Sequence, residues 1–251
     1  MTNTYIGMID ILGYSNMEKA SSMHGDFFIK QVFSRLDKIA GVSFIDSVEF
    51  HRYGDGYVFK TLSISDAVTS VSKLIALALS SNIPLRAIIT TGELSISHST
   101  QSGLTVSGAG WDNLRKYEGS LDWMGGLLYL PQHDGTTHDE VLSLLSNLHI
   151  IKPEVRSSFP NPIKDGVTLI RDKYWYLNWQ RPLKLHPENI SQLVNSWWSG
   201  YPPNAEGEGK NLIAKKENTI DFGNYCVSLS DSIQALCLAG VIPSSYCNAI
   251  N

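Results

Sequence analysis

The stretch Tyr5-Ile6-Gly7-Met8-Ile9-Asp10-Ile11 is apolar apart from Gly7 and Asp10, the pattern of a strand buried on both faces. Phe27, Phe28, Val32, Phe33, Leu36 and Ile39 then recur at helical spacing, and Gly41 supplies a stop. Two strand-like runs follow, Phe44 to Tyr53 and Tyr57 to Lys60. Gly54-Asp55-Gly56 lies between them and predicts a hairpin, because these residues accept the backbone angles of a tight turn. Ser65-Asp66 can cap a second helix whose apolar stripe includes Val68, Val71, Leu74, Ile75, Leu77 and Ala78, with Asn82 at its end. Leu85 to Thr91 is the next strand; after Gly92, Leu94 to Ser97 and Leu104 to Ser107 read as partners. The order βαββαβ predicts an α+β fold, an antiparallel or mixed sheet with helices on one face.

Further along, a short helix is expected after Gly108 and Gly110, a strand over Asp122 to Leu130 and a helix over His138 to Leu145. Val167 to Arg171 and Lys173 to Trp179 read as a hairpin turning near Asp172. Pro187-Glu188 opens a helix ending near Trp198; Gly200, Pro202 and Pro203 break the chain, and the remainder reads as helical with a break at Gly223. A boundary near Pro182 divides residues 1–182 from a helical C-terminal extension, 183–251, whose apolar content predicts that it docks on the core.

Composition narrows the function classes. The 251 residues are 43% hydrophobic, enough for a sizeable core. A formal charge of −4 argues against a nucleic-acid polymer as partner and leaves a single nucleotide open. Cys226, Cys237 and Cys247 form no CxxC pair and no metal spacing, so they read as reduced packing residues of a cytoplasmic protein. No basic segment followed by a long apolar stretch marks a signal peptide, and no apolar run predicts a membrane span.

Candidate chemistry centres on two carboxylates. Asp10 ends the first strand and Asp55 sits on the hairpin tip. If those strands are neighbours, the carboxylates converge at one end of a sheet, where they suit two hard divalent cations, Mg²⁺ or Mn²⁺, that recruit phosphate oxygens. The turn Leu12-Gly13-Tyr14-Ser15 offers successive backbone N–H groups as a phosphate cradle. A tip aspartate is also an ordinary turn residue.

Three stretches carry a family resemblance. Met8-Ile9-Asp10-Ile11-Leu12-Gly13-Tyr14-Ser15 resembles the F-x-D-I-x-G-F-[ST] motif of class III nucleotidyl cyclases. Tyr53-Gly54-Asp55-Gly56-Tyr57 resembles their second metal motif, I-G-D-x-[YF]. Leu85-Arg86-Ala87-Ile88-Ile89-Thr90-Thr91-Gly92-Glu93 resembles L-R-x-G-I-H-x-G-x. The motifs stand in the family's order, and the similarity runs from Tyr5 to Tyr129. Within that family the chain is most similar to the pyrimidine (uridylate or cytidylate) cyclases of bacterial Pycsar anti-phage systems. The resemblance implies a class III cyclase-like fold, a ferredoxin-like βαββαβ core, here with an extra C-terminal hairpin and helices.

The site residues follow from the resemblance position by position. Asp10 and Asp55 match the metal ligands, joined by the Ile11 backbone carbonyl, and Arg86 matches an arginine that contacts the terminal phosphates. The alternative for Arg86 is a strand residue pairing an acidic neighbour. His51 stands where purine cyclases place a base-reading Lys or Glu, which is compatible with a pyrimidine; Thr105 matches the second base-contact place. The family's last motif, G-x-x-x-N-x-x-x-R-x-E, aligns with Gly108 and Glu118 at its ends. Asp112 then falls at the ribose-binding Asn and Lys116 at the transition-state Arg, four apart on one helix face. A surface ion pair is the plain alternative, and a shifted register would offer Asn113 and Arg115, which share no helix face. Ile163 to Val167 faintly resembles a phosphate loop, with no role assigned to Lys164. His24, His98, His133, His138, His149 and His186 show no ligand spacing and default to surface roles, and Tyr174, Trp175, Tyr176 and Trp179 read as core or interface.

The implied activity is a metal-dependent nucleotidyl cyclase. It would convert UTP, with CTP second, to the 3′,5′-cyclic monophosphate and pyrophosphate, as a second-messenger synthase in anti-phage defence. Class III sites lie between two cyclase domains, so one domain per chain implies a homodimer. Asp10, Asp55 and Arg86 would come from one subunit, and Asp112 and Lys116 from the other. The rivals are a purine cyclase, a polymerase-like transferase or diguanylate cyclase on a palm-like scaffold, and a non-enzymatic nucleotide sensor. A diguanylate cyclase lacks support because no Gly-Gly-Asp/Glu-Glu-Phe signature occurs.

Overall fold

The structure is a computed structural model that describes residues 4–14, 27–99, 103–119, 121, 123–132, 135–147, 149–152, 169, 173–180, 187–199 and 209–238. Strand β1 (Tyr5–Ile11) is followed by α1 (Phe27–Ser43), the hairpin β2 (Glu49–Tyr53) and β3 (Gly56–Thr61), α2 (Ile64–Ser80) and β4 (Leu85–Thr91). Next come the hairpin β5 (Ser95–Ser99) and β6 (Gly103–Ser107), α3 (Ala109–Glu118), β7 (Gly125–Tyr129), α4 (Gly135–Ser146), β8 (Ile150–Ile151) and β9 (Tyr174–Leu177). Two helices close the order, α5 (Pro187–Ser199) and α6 (Gly209–Leu238). The fold is α+β, as expected.

The main sheet has seven strands in the order β2-β3-β1-β4-β7-β9-β8; β5 and β6 pair separately. It is mixed: β1 runs antiparallel to β3 and β4, and β4 runs parallel to β7. β1 is central, so both its faces are covered and its apolar run is explained. Alternation along the strands divides the core. Tyr5, Gly7, Ile9 and Ile11 share one face with Tyr57 and Phe59, where Phe44 after α1 stacks on Phe50 and tilts against Phe59. The apolar stripe of α2 is buried over the same sheet, against β1, β3, β4 and β7. Ile6, Met8 and Asp10 point to the other face, which α3 reaches through Gly110, packed on Ile6.

Several local expectations change. The cap of α2 is Ser63, whose hydroxyl accepts the Asp66 N–H, two residues before the Ser65-Asp66 pair; Asp66 keeps its place in the first turn. α1 runs through Gly41 to Ser43, and β2 starts only at Glu49. β9 lies inside the main sheet, paired to β7 and β8; the other arm of the expected hairpin, residues 167–171, falls outside the described residues apart from Leu169. α6 passes through Gly223 without the expected break. That glycine serves contact instead, because a Cβ there would collide with Ile190 of α5. The last helix, α6, contacts the core. Phe222 stands edge-on to Trp123 and Tyr176, and the Thr219 hydroxyl accepts the Met124 N–H. Tyr174, Trp175, Tyr176 and Trp179 are all buried, and so is Cys226, whose burial pushes its thiol pKa up. Among the described residues no helix is long and apolar enough to cross a membrane.

Candidate active site

The hairpin tip is built by turn chemistry. Tyr53 pairs with Gly56, leaving Gly54 and Asp55 as a two-residue loop. Gly54 has φ +58°, the positive value that the first central residue of a type II′ turn requires. Gly56 lies opposite Asp10, and a Cβ there would strike the Ile9 carbonyl oxygen. These two glycines let the tip fold tightly against the end of β1, and Asp55 meets Asp10.

The meeting has an electrostatic signature. The Asp55 carboxyl is pushed up to about 6, by burial first and then by the charge of Asp10 and a hydrogen bond with it. The sheet register supplies the other neighbour. Arg86 stands directly across from Asp10 on β4, and its Nη2 donates to Asp10 Oδ2 at 2.9 Å. Its Nε is ion-paired with Glu118 Oε1 at the end of α3. Asp10 and Glu118 are only 9% and 8% exposed, so the arginine is clamped between two carboxylates in a largely dry place.

The structure thus brings together Asp10, Asp55 and Arg86. For Arg86 the pairing with an acidic neighbour is realised, with Glu118 as a second partner the sequence reading missed. A signal existed. Gly110, Trp111, Leu114 and Glu118 form the buried stripe of α3, and a glutamate on an apolar stripe calls for a cation. Asp112 and Lys116 share the opposite, exposed face of that helix, away from the stripe that carries Glu118 to Arg86. Asn113 and Arg115 are exposed on either side.

At the first turn, Leu12 is buried and its N–H donates to the Pro84 carbonyl at 2.9 Å, so that amide is already engaged. Gly13 follows with φ +78°, and the Tyr14 ring leans on Phe33. Ile11 ends β1 opposite Leu85. His51 lies on the same face of the sheet as Asp10, further along β2. Its Nε2 meets Glu49 Oε1 at 3.0 Å, and its Nδ1 faces His98 Nε2 at 3.3 Å. His98 is exposed, and His51 is its partner there. Thr105 is exposed on β6 opposite Ser97.

Among the described residues, no group of three or more His, Cys, Asp or Glu is arranged to hold a metal. The donor set that meets at the tip is two carboxylates, Asp10 and Asp55. That set fits a hard cation that completes its shell with water and phosphate oxygens.

No protein-family profile matches the sequence, and no curated protein matches it. Solved structures are similar in fold. An adenylate cyclase from Trypanosoma brucei in its monomeric state is 14% identical, with 71% of this chain and 88% of that chain covered at a TM-score of 0.44. The guanylate cyclase domain of RhGC from Catenaria anguillulae in complex with GTP is 12% identical, with 70% and 96% covered at a TM-score of 0.46. A bacterial light-regulated adenylyl cyclase is 13% identical, with 78% and 98% covered at a TM-score of 0.41. Likeness at this level concerns the arrangement of strands and helices alone.

Proposed function

We propose that this chain is a metal-dependent nucleotidyl cyclase that converts a pyrimidine nucleoside triphosphate, UTP by preference, to its 3′,5′-cyclic monophosphate and pyrophosphate. The observation that carries the reading is the meeting of Asp10 and Asp55 on adjacent strands, with burial and mutual repulsion pushing the Asp55 carboxyl up. Two carboxylates this close repel when both are ionised, and a bound cation relieves that repulsion. Asp10, Asp55 and the Ile11 carbonyl would hold Mg²⁺ or Mn²⁺. When bound, the cations neutralise charge on the triphosphate and ease loss of the 3′-hydroxyl proton.

The chain's own groups do the positioning. Gly13 and Tyr14 follow the carboxylate-bearing strand, and the N–H groups of their turn approach the phosphates. Arg86, held by Asp10 and Glu118, keeps positive charge beside them. The 3′-oxygen bonds to the α-phosphorus, the bond to pyrophosphate breaks, and the hydroxyl proton is released. Catalysis is then mostly orientation and charge stabilisation. Asp112 and Lys116, exposed on α3, would serve the site of a second copy in a homodimer, the former at the ribose and the latter at the transition-state charge.

The base preference rests on His51, with Thr105 as the second contact. An imidazole fills space that a purine would need. Both ring nitrogens of His51 are engaged within the protein, Nε2 by Glu49 and Nδ1 by His98, so the imidazole favours a pyrimidine through the space it fills. A cytoplasmic role in anti-phage signalling rests on the motif resemblance.

The test is to incubate the purified protein with each of the four nucleoside triphosphates and Mn²⁺ and identify products by mass. Cyclic UMP should dominate, with cyclic CMP second, and Asp10→Ala or Asp55→Ala should make none while retaining native circular dichroism. A main product of cyclic AMP or cyclic GMP overturns the pyrimidine assignment. Tight binding of a nucleotide with no turnover identifies a sensor instead.

A further inference from the structure

A second cluster of side chains with ligand chemistry lies where edge strand β2 meets the β5–β6 hairpin. His51 Nδ1 and His98 Nε2 are 3.3 Å apart, and the ring centres are 5.2 Å apart with planes inclined by 56°. A collinear N–H···N bond of that length would hold the ring centres about 5.6 Å apart, since each nitrogen lies about 1.1–1.2 Å from its ring centre. The shorter spacing means that the two nitrogen axes are bent away from the N–N line. Two imidazoles on one tetrahedral Zn²⁺, with Zn–N about 2.0–2.1 Å, have nitrogens about 3.3–3.4 Å apart and ring centres about 5.2 Å apart. The observed pair has both spacings.

Glu49 completes the arrangement from behind. Its Oε1 takes the other nitrogen of His51 at 3.0 Å, and its Oε2 takes Lys60 Nζ at 3.1 Å, which fixes the carboxylate. A carboxylate can only accept, so in the neutral ring the proton sits on Nε2 and the lone pair of Nδ1 faces His98. A carboxylate on the far nitrogen is how proteins orient a metal-ligating histidine. The place is reachable. His98 is exposed and the His51 side chain is 24% exposed, and a cleft of about 630 Å³ lined by Glu49, Lys60, Ser95 and Ile96 opens alongside.

We propose that His51 Nδ1 and His98 Nε2 are the two protein ligands of a divalent transition cation of the Zn²⁺ class, with Glu49 orienting His51 and water in the open positions. Imidazole donors favour Zn²⁺, Ni²⁺ or Cu²⁺, whereas Mg²⁺ prefers the all-oxygen set at Asp10 and Asp55, so the two sites are chemically separate. The bound ion would staple β2 of the main sheet to β5 of the hairpin. The proposal stands whether or not the chain is a cyclase.

The test uses Co²⁺ as the probe, titrated into the whole protein in excess Mg²⁺. Visible absorption reports tetrahedral nitrogen ligation, and Zn²⁺ is the competitor. One Co²⁺ per chain should bind with intense visible bands that Zn²⁺ abolishes. His98→Ala and His51→Ala should lose the bands, Glu49→Gln should weaken binding tenfold or more, and Asp55→Ala should keep it. His98 is exposed, so its substitution should leave circular dichroism unchanged and the comparison clean. Wild-type Co²⁺ spectra in His98→Ala, loss of binding in Asp55→Ala instead, or absence of tetrahedral bands in the wild type would each overturn the proposal.

Discussion

Replacing Asp55 with asparagine should make the metal-free protein more stable. Asparagine keeps the shape, offers Asp10 a donor and removes the charge. The Asp55 carboxyl titrates at about 6 in the fold against 3.8 in the open chain, with burial the larger cause and Asp10 the next. Folding therefore favours the protonated form: its contribution is intact below the unfolded value and is lost as pH rises through about 6. At neutral pH the ionised group opposes folding by about 3 kcal/mol if the whole shift counted. Asp55 is only half-buried, and screening by water reduces this to about 1–1.5 kcal/mol. For a chain of this length that is a rise in Tm of roughly 2–6 °C. The assay is urea and thermal unfolding of wild type and Asp55→Asn in a chelator, from about pH 4 to about pH 7.5. The advantage of the variant should be small at the acid end, grow through about pH 6 and level off above it. Added Mn²⁺ should reverse the order, because only the wild type gains by about 2.7 kcal/mol when the ion is a hundredfold above its Kd. A variant that is destabilised equally at every pH would refute the repulsion and leave Asp55 an ordinary turn residue.

Mixing Asp55→Ala and Lys116→Ala subunits should restore about a quarter of wild-type cyclase activity from two inactive parents, since half the dimers carry one intact composite site. Activity in a preparation that sedimentation shows to be monomeric would rule the shared site out. Glu118→Gln should cost about 1–3 kcal/mol in urea unfolding, because it removes one of two anions from the partly buried Arg86; a loss under about 0.5 kcal/mol would mean that Asp10 alone satisfies the guanidinium. Phe222→Ala should cost about 3–5 kcal/mol, as the side chain is fully buried against Trp123 and Tyr176. A small effect there would show that the C-terminal helices contribute little to the stability of the core.

Much of this molecule was legible in the chain because the signals are local. Hydrophobic period predicted β1 and β4 with the bounds observed, since a buried strand and its flanking turns are written within a dozen residues. Turn chemistry placed Asp55 on a hairpin tip, since only glycine readily takes the positive φ that Gly54 shows. Where two local signals competed, the sequence was ambiguous. Ser63 and Ser65 are both cap-forming residues, and the packing of Ile64 at the first helical position selects the earlier one. Gly223 reads as a helix breaker until its neighbour on α5 is known. The register of β1 between β3 and β4 belongs to the tertiary structure alone. It sets Asp10 opposite Gly56 on one side and Arg86 on the other, with 76 residues separating the hydrogen-bonded pair Asp10 and Arg86. The same holds for the approach of His98 to His51 across 47 residues, and for Glu118 reaching Arg86. Residue types and spacing named the groups able to hold a cation or a phosphate. Which of them meet was decided by strand pairing and helix docking, interactions summed over the whole core that no short window of sequence contains.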